Sequence, residues 1–263
     1  MIRTSRTAGR RKLACGALLV ALALCLPQAT LAGSSSRPLG VVELFTSQGC
    51  SSCPPADAVL ADLARSGDVV ALAYHVDYWD YLGWRDALGS PENTARQRAY
   101  AQALDNTSIY TPQAIVNGQR DMNGARRDRI WSALDGMALE ERGLRADISI
   151  EDRGDSIVIT TGTLAGDGTG SAGTTVNAHV VLIDFTPQQS VEIRTGENRG
   201  KTLDYWNVVN GMQTIGMWSG APKSFELPKA EVMKKGNGCA VLLQVVDKKG
   251  RPGPILGAAL LAP

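Results

Sequence analysis

Cys50-Ser51-Ser52-Cys53 is the stretch of this chain best equipped for chemistry. Two cysteines three residues apart can close a disulfide and reopen it. Here the pair follows an apolar run, Val41 to Phe45, and precedes a segment of helical spacing. A helix start presents unbonded N–H groups and the positive end of the helix dipole, both of which stabilise a thiolate. The thiolate is the attacking species in disulfide exchange, so a Cys-x-x-Cys carried from a strand into a helix suits the swapping of a sulfur bond with another molecule.

The elements that would hold the pair follow from periodicity. Val41 to Phe45 reads as a strand, Ala56, Val59, Leu60, Leu63 and Ala64 fall on one helical face, and Val69 to Val76 reads as a second strand. That order is a parallel unit covered on both faces. Ser90-Pro91 reads as cap and first residue of a helix to about Leu104, Ala114 to Val116 is a short strand ending at Asn117-Gly118, and Ile130, Leu134, Met137 and Ala138 place a last helix on the sheet. After Leu144 the pattern becomes all-β. Asp147 to Ile150 and Ile157 to Thr161 flank the turn Asp152-Arg153-Gly154-Asp155, and His179 to Phe185, Ser224 to Leu227, Cys239 to Val246 and Ile255 to Leu261 add strands. Short strands punctuated by turns point to a β-sandwich. The economical reading is two domains in tandem, 38–142 and 143–263, with a β-insertion that completes the first sheet as the alternative.

The first 32 residues set the expected compartment. A basic head (Arg3, Arg6, Arg10, Arg11, Lys12) precedes the apolar run Leu13 to Leu26, and Thr30-Leu31-Ala32 offers the small residues a signal peptidase reads. The run is short for a membrane span, which needs ~20 residues. A cleaved secretory signal and a periplasmic or secreted mature protein are therefore expected. Arg10-Arg11 weakly resembles a twin-arginine signal, and Leu24 makes Cys25 a poor lipidation site. Removing the signal leaves 22 cationic against 26 anionic side chains, a formal charge of −4, which argues against a nucleic-acid surface. It also leaves Cys50, Cys53 and Cys239. One close pair plus one odd thiol is no stapling framework, and a chain of this length can bury a core without one.

The run Val41-Val42-Glu43-Leu44-Phe45-Thr46-Ser47-Gln48-Gly49-Cys50-Ser51-Ser52-Cys53-Pro54-Pro55-Ala56-Asp57, the stretches Tyr74-His75-Val76-Asp77-Tyr78-Trp79-Asp80 and Tyr110-Thr111-Pro112-Gln113, and the segment Gly196-Glu197-Asn198-Arg199-Gly200-Lys201-Thr202-Leu203 resemble the exported bacterial domain of unknown function 1223 family. The resemblance covers both halves and implies an α/β fold, with a thioredoxin-like N-terminal domain followed by a β-sandwich-like C-terminal domain. It supplies no substrate. The wider likeness to thioredoxins implies that Cys50 is the exposed attacking thiol, Cys53 the resolving thiol and Glu43 the buried carboxylate that accepts a proton, although Glu43 stands one residue further from the first cysteine than that pattern has it. It also implies that Thr111-Pro112 is a cis-proline loop facing the cysteines and binding substrate main chain. Gly49 in place of the usual Trp, Ser-Ser in place of Gly-Pro, and Pro54 after Cys53 depart from the pattern, and a proline there sets Cys53 at the very start of the helix.

The reading adopted is an exported thiol-disulfide oxidoreductase-like protein acting on protein or small-molecule disulfides, with Cys50, Cys53 and Glu43 catalytic, no cofactor, and a redox partner that a membrane protein could supply. His75, Asp77 and Trp79, at the end of the second strand, could flank the pair and touch substrate. A polar cluster bonding the strand end explains His75 and Asp77 equally well. A zinc site lacks ligands. A copper-delivery module using Cys50, Cys53 and His75, and a non-catalytic binding protein with a structural disulfide, are the alternatives. Tyr74, Tyr78, Trp79, Tyr81 and Trp84 could wall a ligand or pack as core, and Arg194, Arg199, Lys201, Tyr205, Trp206 and Trp218 could dock a partner or cover a sheet edge. Cys239 reads as a small core residue.

Overall fold

The computed structural model describes residues 1–2, 37–165, 176–233 and 237–263. Ser35–Pro263 form one compact unit. The expected signal segment, apart from Met1 and Ile2, lies outside the described residues, and no helix among those described is long and apolar enough to cross a membrane.

The first half folds as its periodicity dictates. Strand β1 (Gly40–Thr46) leads into α1 (Pro54–Ser66) and then β2 (Val69–His75), which pairs with β1 in parallel register from Gly40 opposite Val69 to Thr46 opposite His75. Both strands are buried along their whole length, which is why they read as continuous apolar runs. Helix α2 (Pro91–Ala103) starts where expected: the Ser90 hydroxyl accepts from the Asn93 N–H at 3.1 Å and Pro91 fills the first turn. Strands β3 (Gln113–Val116) and β4 (Arg120–Asn123) form a hairpin whose turn carries Asn117 and Gly118 at positive φ, and α3 (Arg127–Leu139) closes this half. Strand β3 runs antiparallel to β1.

The second half does not fold as a separate sandwich. Its strands are β5 (Ala146–Asp152), β6 (Ser156–Leu164), β7 (Ala178–Glu192), β8 (Thr202–Trp218), β9 (Lys223–Pro228), β10 (Gly238–Val246) and β11 (Pro252–Leu261), with a one-turn helix α4 (Lys229–Val232) after β9. Four of them extend the first sheet, giving an eight-stranded mixed sheet in the order β11-β10-β7-β8-β2-β1-β3-β4, while β5, β6 and β9 form a second sheet. The join is the pair Ala73–Val208 between β2 and β8, reinforced where the Asn207 amide donates to the Ala71 carbonyl at 2.8 Å. The break expected between residues 142 and 143 is therefore absent, and the β-insertion alternative describes the architecture better. A sandwich survives locally: Ala146, Ile148, Ile157 and Ile159 of the small sheet pack on Val180, Leu182, Val241 and Leu243 of the large one.

The large sheet has two faces in its first half. Val42, Leu44, Val69, Ala71 and Ala73 point toward α1 and α3, whereas Val41, Phe45, Val70, Leu72 and Tyr74 point toward the side where Tyr100 of α2 packs. Alternation along a strand thus assigns every β1 and β2 side chain to one face or the other.

Candidate functional site

Cys50 and Cys53 are joined in a disulfide across a Cα–Cα distance of 5.4 Å, close to the spacing expected of a local pair. The backbone coils tightly: the Cys53 N–H donates to the Cys50 carbonyl at 3.2 Å, and the Ala56 and Asp57 N–H groups donate to the Cys53 carbonyl at 2.8 and 3.1 Å. Cys53 is thus the residue that caps α1, and it keeps helical φ and ψ of −78° and −36° although Pro54 follows it. Both cysteines are fully buried, while Ser51 and Ser52 between them are exposed. This corrects the expectation of an exposed attacking thiol at Cys50. The Thr111–Pro112 bond is cis, as expected. The Pro112 loop lies against the start of α1: a Cβ added to Gly124 would meet Leu44 Cδ1 at 2.5 Å, Ala56 Cβ at 3.2 Å and Pro112 Cβ at 3.6 Å.

Glu43 is not beside the cysteines. It shares its face of β1 with Val41 and Phe45, opposite the face that packs on α1. Its carboxylate is wholly buried; Arg96 Nε donates to Oε1 at 2.7 Å, and the Tyr100 hydroxyl donates to Oε2. Arg96 also donates to Gln244 Oε1 at 2.9 Å, and the Gln244 amide donates to Tyr100 Oη at 2.7 Å. The guanidinium lies 5.0 and 5.5 Å from the Tyr100 and Tyr74 ring centroids. Glu43 is an internal counter-ion for Arg96 in a network that ties α2 to β1 and β10, and the proton-acceptor role assigned to it is withdrawn.

A different carboxylate occupies the cysteine face. Asp57 lies in the first turns of α1, 93 % shielded from solvent, and the Thr46 hydroxyl donates to its Oδ1 at 2.7 Å. Burial pushes its pKa up to about 7, with Asp86 adding to that rise while the Thr46 hydrogen bond and His75 oppose it. Its Oδ2 has no partner. His75, which pairs with Thr46 at the end of β2, holds Asp86 Oδ2 through Nδ1 at 2.7 Å and stacks edge-on against Tyr205 at 4.5 Å. Burial alone would raise the Asp86 pKa, but the adjoining His75 and the N–H groups of Gln48 and Leu88 together hold it below the ordinary value. His75 Nε2 and Tyr205 Oη are buried without partners, like Asp57 Oδ2. Burial, with Asp57 and Asp86 nearby, drives the Tyr205 phenol well above its ordinary range. A group of titratable side chains is thus buried at the carboxyl ends of β1 and β2, next to the start of α1.

Two elements cover the cysteine loop. The first is the segment after β2. Trp79 lies against Gly49, whose added Cβ would stand 3.1 Å from Trp79 Cβ, and its indole N–H donates to Thr111 Oγ1 at 2.8 Å. Trp79 therefore links the cysteine loop to the cis-proline loop. Trp84 donates to Gln48 Oε1 at 2.8 Å. Asp77 turns away to α2 and accepts from Thr94 Oγ1 at 2.6 Å, so it serves the strand end and not the disulfide. Of the neighbouring aromatics Tyr74 is core, while Tyr81 is 80 % exposed.

The second cover is the tip of the β7–β8 hairpin, Ile193 to Lys201. Asn198 is completely buried, and its amide donates to the Gln48 and Cys50 carbonyls, both at 2.9 Å. Glu197 Oε2 accepts from the Ser51 N–H at 3.2 Å. Of the basic and aromatic stretch around it, Tyr205 and Trp218 are buried, Trp206 carries Arg65 at 5.5 Å from its ring centroid, and Arg194, Arg199 and Lys201 are exposed. Among the described residues no three His, Cys, Asp or Glu side chains come together as a metal site, and His75 is engaged by Asp86 and Tyr205. Cys239 is a buried core residue whose thiol burial pushes up to about 12.

Asp57, Asp86, Glu197 and Asn198 are site residues to which sequence reasoning assigned no role, and Tyr205 figured there only in a stretch that could dock a partner or cover a sheet edge. Asp57 carried a local signal, a polar residue at helical spacing from Leu60, Ala61 and Ala64 on the face that packs inward. Glu197 and Asn198 reach the site from 146 and 148 residues away, and no local pattern brings them there.

Comparisons with known proteins agree with this architecture. The profile of the family described as protein of unknown function (DUF1223) matches residues 41–244. The crystal structure of protein AGR_C_4864 from Agrobacterium tumefaciens is 44 % identical, superposes with a TM-score of 0.76, and the match covers 86 % of this chain and 95 % of that one. HBP35 of Porphyromonas gingivalis superposes with a TM-score of 0.57 at 12 % identity over 86 % of this chain and 75 % of that one, a likeness of fold alone. A 97-residue stretch, 36 % of this chain, is 34 % identical to alanine–tRNA ligases from two strains of Cereibacter sphaeroides. The chain spans a tenth of the length of those curated relatives.

Proposed function

The chain belongs to the domain of unknown function 1223 family, whose name states no reaction, and from the site itself we propose an exported thiol-disulfide oxidoreductase-like protein that exchanges Cys50–Cys53 with disulfides or thiols of other molecules. The observation that carries the reading is a Cys-x-x-Cys disulfide at the start of α1, between parallel strands, with a cis-proline loop against the same helix start. That arrangement supports a thioredoxin-like placement of the pair.

In the reduced protein, the Cys50 thiolate attacks a substrate disulfide, forming a mixed disulfide and expelling one substrate thiolate. The Cys53 thiol then loses its proton, attacks Cys50 Sγ and releases the second substrate thiolate, so two electrons pass to the substrate and the protein pair is oxidised. Asp57 replaces Glu43 as the group that accepts the Cys53 proton. It follows Cys53 by one helical turn, its carboxyl titrates near neutrality, and its Oδ2 is unoccupied. His75 and Asp86 set the field around Asp57 and are positioning residues. The run in reverse makes disulfides, and the poise of the couple decides the direction.

The test is the equilibrium of Cys50–Cys53 with glutathione, combined with turnover of a protein disulfide. A couple that equilibrates within the range of known exchange proteins, with turnover lost in Cys50→Ser, supports the proposal. A pair that stays oxidised in millimolar reduced glutathione, with no turnover, would leave a purely structural disulfide.

A further inference from the structure

The two cysteines are buried, whereas the serines between them are exposed, so an outside sulfur meets Cys50 only after something moves. Of the two covers, the hairpin tip is the one whose side chains bond the Gln48 and Cys50 carbonyls and the Ser51 N–H. We propose that Glu197 and Asn198 form a latch that decides which molecules reach the Cys50–Cys53 bond, and that the substrate which replaces them is an extended polypeptide. The reaction being controlled rests on the exchange reading above; the latch itself does not.

The Asn198 side chain is bonded at both its polar atoms: its amide N–H groups hold the Gln48 and Cys50 carbonyls, and its Oδ1 accepts from Lys201 Nζ at 2.8 Å. A side chain so placed is a specific closure and not loose surface cover. The groups it masks define what fits in its place. Once the latch lifts, the loop presents two carbonyls two residues apart, Gln48 and Cys50, and the Ser51 N–H that Glu197 now occupies. Acceptors and a donor along one backbone edge are what an extended chain pairs with. A polypeptide disulfide carries main chain on both sides of its cysteine for this pairing, whereas glutathione has only its two amide groups.

The latch is built to lift. Gly196 and Gly200 bracket it at φ values of 78° and 80°, the left-handed region where glycine alone is unstrained. The tip is moored on its far side through Thr195 Oγ1, which donates to the Gly83 carbonyl at 2.6 Å, next to Trp84.

The experiment compares wild type, Asn198→Ala and Gly200→Ala as full mature chains with matching circular dichroism. The first measurement is the rate at which dithiothreitol reduces Cys50–Cys53, its two thiols giving up two electrons as they close to the cyclic disulfide, read by thiol alkylation and mass shift. Asn198→Ala removes both hydrogen bonds to the loop, together with the one accepted from Lys201, and is expected to speed reduction about tenfold. Gly200→Ala removes no contact, since nothing lies within 4 Å of its added Cβ, and acts only by straining the closed tip, giving a rise of about fivefold or more. The second measurement is the ratio of rates for oxidation of the reduced protein by a disulfide-bonded unfolded protein and by oxidised glutathione. Wild type favours the polypeptide, and Asn198→Ala lowers the ratio. Equal dithiothreitol rates in all three proteins overturn the latch, and an unchanged ratio overturns the polypeptide assignment. Latch-dependent reduction without turnover of any substrate would instead sink the exchange reading.

Discussion

Replacing Asp57 by Asn tests whether a carboxyl is really held against its will at the start of α1. The carboxyl is almost wholly buried, and its pKa rises from the ordinary 3.8 to about 7. The folded state therefore binds the Asp57 proton more tightly than the unfolded chain does. The associated stability is complete below about pH 4 and is lost as the pH rises through about 7. At 1.36 kcal/mol for each tenfold change in proton affinity, the loss by pH 8 comes to about 4 kcal/mol. Asparagine keeps the acceptor for the Thr46 hydroxyl but carries no charge at any pH. Urea unfolding of the oxidised wild type and Asp57→Asn should give curves close together near pH 4. They should separate steadily between pH 4 and 7, and above pH 7 the variant should be more stable by roughly 2 to 4 kcal/mol. The comparison must be a difference between the two proteins, because Asp86, held low, contributes stability of the opposite pH sense, lost as the pH falls below the carboxylate range. A gap that does not change between pH 4 and 8 would refute the placement of a strained carboxyl at the buried start of α1.

The same carboxyl predicts kinetics: the resolving step should quicken as the pH rises through about 7 in wild type and lose that inflection in Asp57→Asn, measured by stopped-flow decay of a mixed disulfide. Arg96→Met leaves Glu43 buried and unpaired and should cost about 3 to 5 kcal/mol in chemical unfolding. Glu43→Gln, in contrast, should leave the pH profile of exchange where it is, and a displaced inflection would restore Glu43 to the chemistry. Asn117→Ala removes the acceptor for the Val41 N–H at a residue with φ of 49°, next to a turn on which β3 and β4 depend, and should cost about 3 kcal/mol in a thermal or urea melt.

What could be read from the chain and what could not divide by distance along it. The strand, cysteine pair, helix and strand of the first half, the Ser90 cap and the Asn117-Gly118 turn are set by neighbours a few residues apart, and local patterns carried them. Strand β8 escaped because its side chains alternate only in part, with Gly211 and Gly216 inside it and outward polar positions throughout. It is a strand because β7 pairs with it over most of its length. The placement of Glu43 failed for a related reason. Its parity with Val41 and Phe45 was plain, but which face of β1 the cysteine helix would cover depends on where α1 and α2 pack. The expected domain boundary failed because the change from mixed to all-β grammar at Leu144 marks a change in strand connection, while hydrogen bonding continues from β2 into β8.

The most direct measurement is exchange itself: the protein, reduced and then mixed with a disulfide-bonded unfolded polypeptide, followed by loss of its Cys50 and Cys53 thiols against Cys50→Ser and Cys53→Ser. Stoichiometric oxidation of wild type, no reaction of Cys50→Ser, and a stable mixed disulfide through Cys50 in Cys53→Ser are the expected results. Oxidation of wild type no faster than that of Cys50→Ser would mean that the bond at the start of α1 is there only to hold the fold.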